Sequence, residues 1–246
     1  VQCAGMEGSN NSCVQIEYVL DLPPRRKRIE RGYMRLYKQL RSGGYRPDVI
    51  HLHNAAEAAR PACRMAKLWN VPLVVSENWT AYHAERGRAF RKKDERGVQM
   101  ALNQAVVHLP VSGHLGRAMA RYAPHVRQVV IPNVVEPVFG PPAEPRSLDG
   151  SLRLLHISSL VDNHKDITGM LCALGSAVKN GTDVLLDCWG GAGLGGASIT
   201  RYEGLLKELG LEDRVFFHGS ASSHQVAESM CKADAFVLFS RDENLP

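Results

Sequence analysis

Residues able to carry charge or make several hydrogen bonds recur in short polar clusters, each placed just after an apolar run. In the first half these are His51-Leu52-His53-Asn54, Ser76-Glu77-Asn78-Trp79-Thr80 and Ser112-Gly113-His114. In the second half they are Ser158-Ser159, Gly190-Gly191-Ala192-Gly193, Gly219 and Ser240-Arg241-Asp242-Glu243-Asn244. Small, polar, hydrogen-bonding groups suit a polyol or phosphate ligand better than an apolar one. A metal centre is not expected, because His51 and His53 lack a third ligand at short spacing. Gly191-x-Gly193-x-x-Gly196 matches the dinucleotide fingerprint, with Glu212 or Asp213 near the expected distance downstream. That fingerprint belongs at the first strand-to-helix turn of its domain, and here it follows the second strand. The generic use is backbone N–H groups approaching phosphate at a helix N-terminus, and a glycine loop with no ligand fits as well. Lys165, shortly after a strand, is able to place a point charge on a diphosphate. An ordinary exposed lysine at a helix start fits that position too.

Elements that place these clusters follow from hydrophobic period. Strands are expected over 14–20, 49–53, 73–76, 106–111 and 128–131, with helices over 27–41, 94–105, 115–122 and an Ala-rich stretch toward Trp69. In the first helix Ile29, Tyr33, Leu36, Tyr37 and Leu40 share one face. Pro61 is expected to kink the Ala-rich helix or to start its main part. Residues 132–150 carry five prolines and a closing Gly150, a linker composition. The second half repeats the alternation, with strands over 152–157, 184–189, 215–218 and 235–239. Its helices span 167–178, 202–209 and a stretch to about Lys232 that Ser222 and Gln225 open as a capping box. Alternating strands and helices imply parallel sheets with right-handed crossovers. Ligands of such sheets bind beyond the carboxyl ends of the strands. The expected architecture is α/β, with two Rossmann-like doubly wound lobes: residues 1–136, a linker 137–150, and residues 151–246.

Bulk properties agree with a globular protein. The chain has 246 residues, 44% hydrophobic and 22% charged, so one large or two modest domains fit. No apolar run reaches the roughly 18–20 residues that span a bilayer. Residues 1–136 hold 21 Lys and Arg against 11 Asp and Glu, a net +10, while 137–246 hold 9 against 14, a net −5. Together they return the overall +5 and suggest lobes with different partners. The basic lobe suits an anionic membrane, nucleic acid or a phosphorylated substrate. Cys3, Cys13, Cys63, Cys172, Cys188 and Cys231 form no C-x-x-C pair, which reads as reduced, buried cysteines in a cytosolic protein. The chain begins Val1-Gln2 and stops at Pro246 just after a strand-like run, so both ends read as cut.

From Asp48 onward the ordered series of motifs resembles the family 4 glycosyltransferases of the GT-B two-lobe fold. The resemblance rests on Asp48-Val49-Ile50-His51-Leu52-His53-Asn54, Val129-Val130-Ile131-Pro132-Asn133 and Glu208-Leu209-Gly210-Leu211. It continues through Phe217-His218-Gly219, Ala233-Asp234-Ala235-Phe236-Val237-Leu238 and Ser240 to Glu243. It implies transfer of a sugar from a nucleotide-sugar donor held mostly by the second lobe to an acceptor on the first, across the cleft between them. Configuration at the sugar is retained and no metal or other cofactor is needed. Lys165 looks like the family's phosphate-binding lysine. Glu243 looks like the first of a pair of glutamates, its partner falling past Pro246. That acid contacts the donor sugar, with backbone amides of Asn244 and Leu245 assisting. Gly191 and Gly193 look like the glycine turn near the nucleotide.

Two departures stand out. Ser159 lies where the family usually carries arginine, and Asn78 where it often carries histidine near the donor sugar. Asparagine still hydrogen-bonds a hydroxyl but carries no charge. His53, Asn54 and Asn133 are the acceptor-side candidates. The implied partners are a nucleotide-sugar and a glycan or lipid-linked acceptor, in cell-surface polysaccharide or lipopolysaccharide synthesis, with no nucleic acid. Arg25-Arg26-Lys27-Arg28 followed by Arg31, Arg35, Lys38 and Arg41 makes a basic amphipathic helix, and Arg86, Arg88, Arg91, Lys92 and Lys93 a second cluster. Both suggest peripheral docking on the cytoplasmic leaflet, a solvated basic face being the plain alternative. The residues between Val1 and Pro246 are not expected to turn over alone. Competing readings are an epimerase or phosphorylase of the same fold, an NAD-dependent oxidoreductase, and a non-catalytic nucleotide-binding relative.

Overall fold

A computed structural model describes residues 2–4, 15–17, 26–83, 90, 92–140, 150–191, 198–241 and 243. The chain forms two compact units, divided between Ile131 and Pro132.

The first unit opens with a short antiparallel pair, β1 (Gln2–Ala4) and β2 (Gln15–Glu17). Helix α1 (Arg26–Ser42) follows, burying Leu36 and Tyr37 on the expected face. A parallel sheet then forms from β3 (Ile50–His53), β4 (Leu73–Glu77) and β5 (Val107–Pro110), in that order. Helix α2 (Ala55–Trp69) connects the first two strands and runs unbroken through Pro61. Its buried positions Ala55, Ala59, Ala62, Cys63 and Ala66 are small and repeat at helical spacing, so the helix lies close against its neighbours. A single 3-10 turn at Thr80–Tyr82 and helix α3 (Lys92–Gln104) precede β5, and α4 (Gly113–Ala120) follows it. Leu52, Val75, Tyr82, Val98, Leu102, Leu115 and Met119 form the core. Residues 128–131, expected as a strand, are not one. Val129 and Ile131 donate to the carbonyls of His108 and Pro110 at 2.9 and 3.0 Å, but the contact amounts to one bridge, His108 to Gln128.

The second unit is a four-stranded parallel sheet. Its strands are β6 (Leu152–Ser158), β7 (Val184–Gly190), β8 (Val215–Gly219) and β9 (Ala235–Phe236), ordered β8-β7-β6-β9. Between β6 and β7 lie a one-turn helix α5 (Asp162–Lys165), absent from the sequence expectation, and α6 (Ile167–Lys179). Helix α7 (Ser198–Leu209) precedes β8, and α8 (Ser223–Lys232) carries the Ser222–Gln225 capping box. Ile167, Met170, Leu171 and Leu174 of α6 meet Leu186, Cys188 and Tyr202 in the core. The last strand is shorter than the expected 235–239, and Phe236 stays exposed.

Two of the cysteines expected to be buried are not: Cys172 and Cys231 are exposed, while Cys63 and Cys188 are buried. Both exposed thiols sit on helices: Cys172 faces away from the core that its neighbour Leu171 enters, and Cys231 lies on α8, which buries none of its residues. Among the described residues no helix is long and apolar enough to cross a membrane.

Candidate functional site

In the second unit the ends of β6, β7 and β9 converge. Strand β6 is central, so its carboxyl end is flanked on both sides. There the chain turns through Leu160, buried and left-handed at φ 52°. This turn is held by a hydrogen-bond relay. The Leu160 amide donates to Ser158 Oγ at 3.0 Å, Ser158 Oγ lies 2.7 Å from His156 Nε2, and His156 Nδ1 lies 2.8 Å from the Val237 carbonyl. A carbonyl only accepts, so His156 Nδ1 donates, and in the neutral ring Nε2 accepts from the serine hydroxyl. Burial, the larger cause, and nearby Lys165 both lower the His156 pKa, while its bond to the Val237 carbonyl works the other way.

Helix α5 ends at Asp166, left-handed at φ 46°, which turns the chain into α6. Asp162 Oδ1 accepts the Thr168 amide at 2.7 Å across that corner. Burial opposes ionisation of Asp162, but the Thr168 bonds and the cations Arg201 and Arg241 outweigh it and lower its pKa. Lys165, the last residue of α5, donates from Nζ to Glu243 Oε1, their side chains 24% and 26% exposed. Two further bonds join the same segments: the Arg241 amide to the His164 carbonyl at 3.1 Å, and Arg241 Nη2 to Asp166 Oδ1 at 2.7 Å. The lysine and the acid, 78 positions apart in the chain, are thus brought together at the carboxyl edge of the sheet.

The glycine turn borders this edge. Gly190 pairs with Ser158 and has φ +118°, and a Cβ there would lie 1.7 Å from the Ser158 carbonyl oxygen. Gly191, φ +91°, lies against Leu160, with 3.0 Å between a built Cβ and Cδ1. Ser159 is exposed beside them. Gly193, Asn244 and Leu245 lie outside the described residues.

The remaining candidates lie elsewhere. His53 ends β3, with Nδ1 2.8 Å from Ser76 Oγ, while His51 Nε2 lies 3.1 Å from the same hydroxyl. Among the described residues no group of three His, Cys, Asp or Glu is placed to hold a metal ion. Asn54 is left-handed at φ 55° and precedes α2, and its side chain makes no capping bond. Asn78 is exposed in the loop after β4, and Asn133 is exposed in the extended segment that opens the second unit.

Sequence reasoning placed Glu77 in a polar strand-end cluster but gave it no role. Its side chain is 2% exposed, and Oε1 accepts the Ala55 amide at 2.7 Å and the Tyr82 hydroxyl at 2.6 Å. It does the capping of α2 that Asn54 leaves undone. Burial raises its pKa against those hydrogen bonds. Asp166 was passed over, and Arg241, named only within the 240–244 cluster, was given no role. Nothing local in the sequence marks the pair, because its members lie 75 positions apart.

Two α/β units, each with its own parallel sheet, are the architecture of the GT-B fold. The sequence profile of Glycosyltransferase Family 4 matches residues 7–139, more than half of the chain, and the chain belongs to that family. Solved structures agree on the fold. Sucrose-phosphate synthase from Thermosynechococcus elongatus is 16% identical with a TM-score of 0.72, over 98% of this chain and 63% of that one. Anabaena HepE in complex with UDP-glucose is 17% identical with a TM-score of 0.64, over 85% and 56%. The pneumococcal O-GlcNAc transferase GtfA in complex with UDP and GlcNAc is 13% identical with a TM-score of 0.61, over 86% and 41%. This chain thus spans less than two thirds of each of them. No curated protein sequence matches it.

Proposed function

We propose that the protein transfers a hexosyl group from a nucleotide-sugar to a glycan or lipid-linked acceptor with retention of configuration, in cell-surface polysaccharide or lipopolysaccharide synthesis at the cytoplasmic face of the membrane. The observation that carries the reading is the Lys165–Glu243 pair at the carboxyl edge of the second sheet. An entering diphosphate takes Lys165 from Glu243, exchanging one anion for another. The acid is released to accept hydrogen bonds from sugar hydroxyls, which orients the anomeric carbon. As the bond from that carbon to the diphosphate oxygen breaks, Lys165 and the amides near Gly191 stabilise the charge gathering on the leaving group. A bond from the acceptor oxygen to the anomeric carbon forms on the same face, and the acceptor's proton passes to a phosphate oxygen. Lysine supplies the positive charge, so the proposed reaction uses no metal. Relatives crystallised with UDP-glucose or with UDP and GlcNAc support a nucleotide-sugar as donor. Acceptor-side roles fall to His53, Asn54 and Asn133, and Asn78 hydrogen-bonds the donor sugar.

Calorimetric titration of the full-length protein with UDP and GDP tests this. Lys165→Ala should weaken nucleotide binding about 10- to 150-fold, the worth of a charge-assisted hydrogen bond. Glu243→Gln should keep nucleotide binding and lose transfer. Unchanged nucleotide affinity in Lys165→Ala would sink the assignment. Ser159, which brings no second cation, favours one other reading, a non-catalytic relative, and nucleotide binding without transfer in the full-length protein would establish it. Release of an epimerised nucleotide-sugar would point to an epimerase instead, and a sugar phosphate formed from a glycan and inorganic phosphate to a phosphorylase.

A further inference from the structure

At the carboxyl edge of the first sheet an aromatic side chain is held firmly yet faces solvent. Trp79 lies two positions past β4 and is 45% exposed. Between Leu68 and Met100 it is the one large apolar side chain left exposed among the described residues. Its backbone is extended and opens the 3-10 turn Thr80–Tyr82. Buried Glu77 anchors this loop, accepting the Tyr82 hydroxyl at 2.6 Å and a hydrogen bond from the Trp79 amide. Beneath the indole runs a chain of edge-to-face rings: Trp79 with Phe90 at 5.4 Å, Phe90 with Tyr82 at 4.8 Å, and Tyr82 with Tyr122 at 5.8 Å. Phe90 and Tyr82 are buried, so the support does not shift with solvent. An edge-to-face contact leaves at least one indole face uncovered by Phe90.

The surroundings identify what that face takes. Asn78 beside it is exposed, and Asn54, exposed and left-handed at φ 55°, leaves the adjacent strand β3 at the same edge. An apolar plane flanked by amides matches a pyranose ring, whose faces carry C–H groups and whose rim carries hydroxyls. The C–H face gains by leaving water against the indole, and the amides hydrogen-bond the rim. A lipid chain offers the amides no partner, and a phosphate gains nothing from the indole. A ready-made rigid surface also saves the ordering cost that a mobile side chain would add on binding. We propose that Trp79 is the stacking platform for a pyranose ring of the acceptor, so that the unit recognised is a sugar rather than a bare lipid phosphate or a linear polyol. This assignment rests on the transfer proposed above, which puts the nucleotide on the second unit and leaves the first to the acceptor.

Saturation-transfer NMR on the full-length protein tests it with methyl β-D-glucopyranoside, methyl β-D-galactopyranoside and methyl α-D-mannopyranoside, and with sorbitol as the polyol that has no ring. At least one pyranoside should bind, with transfer strongest at the protons of one ring face, and sorbitol should not. Ring stacking is worth about 2- to 12-fold in affinity, so Trp79→Ala should weaken the pyranoside by about that factor. Trp79→Tyr keeps an aromatic face and should retain most of the binding, and Trp189→Phe on the second unit should leave it unchanged. UDP and GDP affinities in Trp79→Ala should equal the parent's, with circular dichroism showing the fold intact. Pyranoside binding by Trp79→Ala equal to the parent's, or failure of all three pyranosides to bind the parent, would overturn the proposal. So would weaker binding of UDP-glucose or GDP-mannose by Trp79→Ala at unchanged pyranoside affinity, which would give the ring to the donor. Each of these failures leaves the nucleotide titration of Lys165→Ala to judge the transfer reading separately.

Discussion

Gly190→Ala isolates the geometry on which the second unit's site depends. Its new Cβ would stand 1.7 Å from the Ser158 carbonyl oxygen, where real Cβ contacts essentially never fall below 3.0 Å. The gap cannot be recovered by a rotamer change, because the colliding atom is backbone. Either β6 and β7 part at the Ser158–Gly190 pairing or the turn reshapes. Overpacking of this kind costs roughly 1–3 kcal/mol. A left-handed φ with a side chain adds roughly 1–2 kcal/mol, and φ here is +118°. Two other glycines separate these contributions. Gly181, φ +87° with nothing within 4 Å, should show the backbone penalty alone on conversion to Ala. Gly204, inside α7 with nothing within 4 Å, should gain roughly 0.5–1 kcal/mol. With a urea slope of about 2 kcal/mol/M, the midpoint should fall by about 1–2.5 M for Gly190→Ala and about 0.5–1 M for Gly181→Ala, and rise slightly for Gly204→Ala. Trp189, stacked on His218 at 4.6 Å, reports on this unit if Trp69 and Trp79 are replaced by Phe. Equal midpoints for Gly190→Ala and Gly181→Ala would refute the close approach.

Four further outcomes are expected. Tyr82→Phe removes a hydroxyl donor from buried Glu77 and should destabilise the first unit by about 1–3 kcal/mol, measured by urea unfolding. His156, His108 and His51 all have pKa values lowered chiefly by burial. The unfolded state therefore binds protons the folded state refuses, and urea midpoints should drop as pH falls from about 7 to about 5.5. Glu77 works in the opposite sense: its raised pKa keeps a proton in the fold that the unfolded chain releases above about 4.5. Glu77→Gln should remove a loss of stability on raising the pH through that range. Thiol titration under native conditions should label Cys172 and Cys231 promptly, while Cys63 and Cys188, buried and pushed up to about 11 and about 12, stay unlabelled until urea is added.

Period and punctuation made the sheets legible. The runs 73–75 and 184–186 are apolar on both sides of the alternation, as a covered parallel strand requires, while β3 alternates Ile50 and Leu52 with His51 and His53, and each strand gives way to a polar or glycine residue at the turn. Residues 128–131 misled because Val129, Val130 and Ile131 are as β-branched as any strand. They lie 37–50% exposed at the rim, joined to β5 by two bonds without a continuous ladder. Helix α5 was hidden because one turn carries no period, and nothing local distinguishes it from a loop. Glu77 was hidden for another reason: a carboxylate capping a helix 22 positions earlier is a fact of three dimensions. His156 likewise reads as a polar interruption of Leu154-Leu155-Ile157 until Val237, on the neighbouring chain segment, supplies its acceptor.

The weakness of each motif alone and the strength of their order have one physical cause. A parallel sheet delivers successive strands to the same edge, so residues far apart in the chain become neighbours in a sequence fixed by strand order. Here β6 sits between β7 and β9. The turn after β6 therefore touches the glycine turn after β7 through Ser158 and Leu160, and the segment after β9 through His156, Asp166 and Lys165. A lysine, a glycine or a glutamate placed after the outer strand β8 instead would lie farther from the other two along that edge. The same argument locates where change is tolerated. Substitutions at Gly181 or Gly204, which touch nothing, alter stability locally. Those at Gly190, His156 or Arg241 reach Lys165 through connected backbone and hydrogen bonds, and should alter nucleotide binding without contacting the nucleotide. Arg241→Gln is the cleanest case, since it removes the bond to Asp166 while leaving Lys165 and Glu243 in place. Weaker nucleotide binding at unchanged fold is expected from calorimetry, and affinity equal to the parent's would show that the Lys165 turn holds its position without that bond.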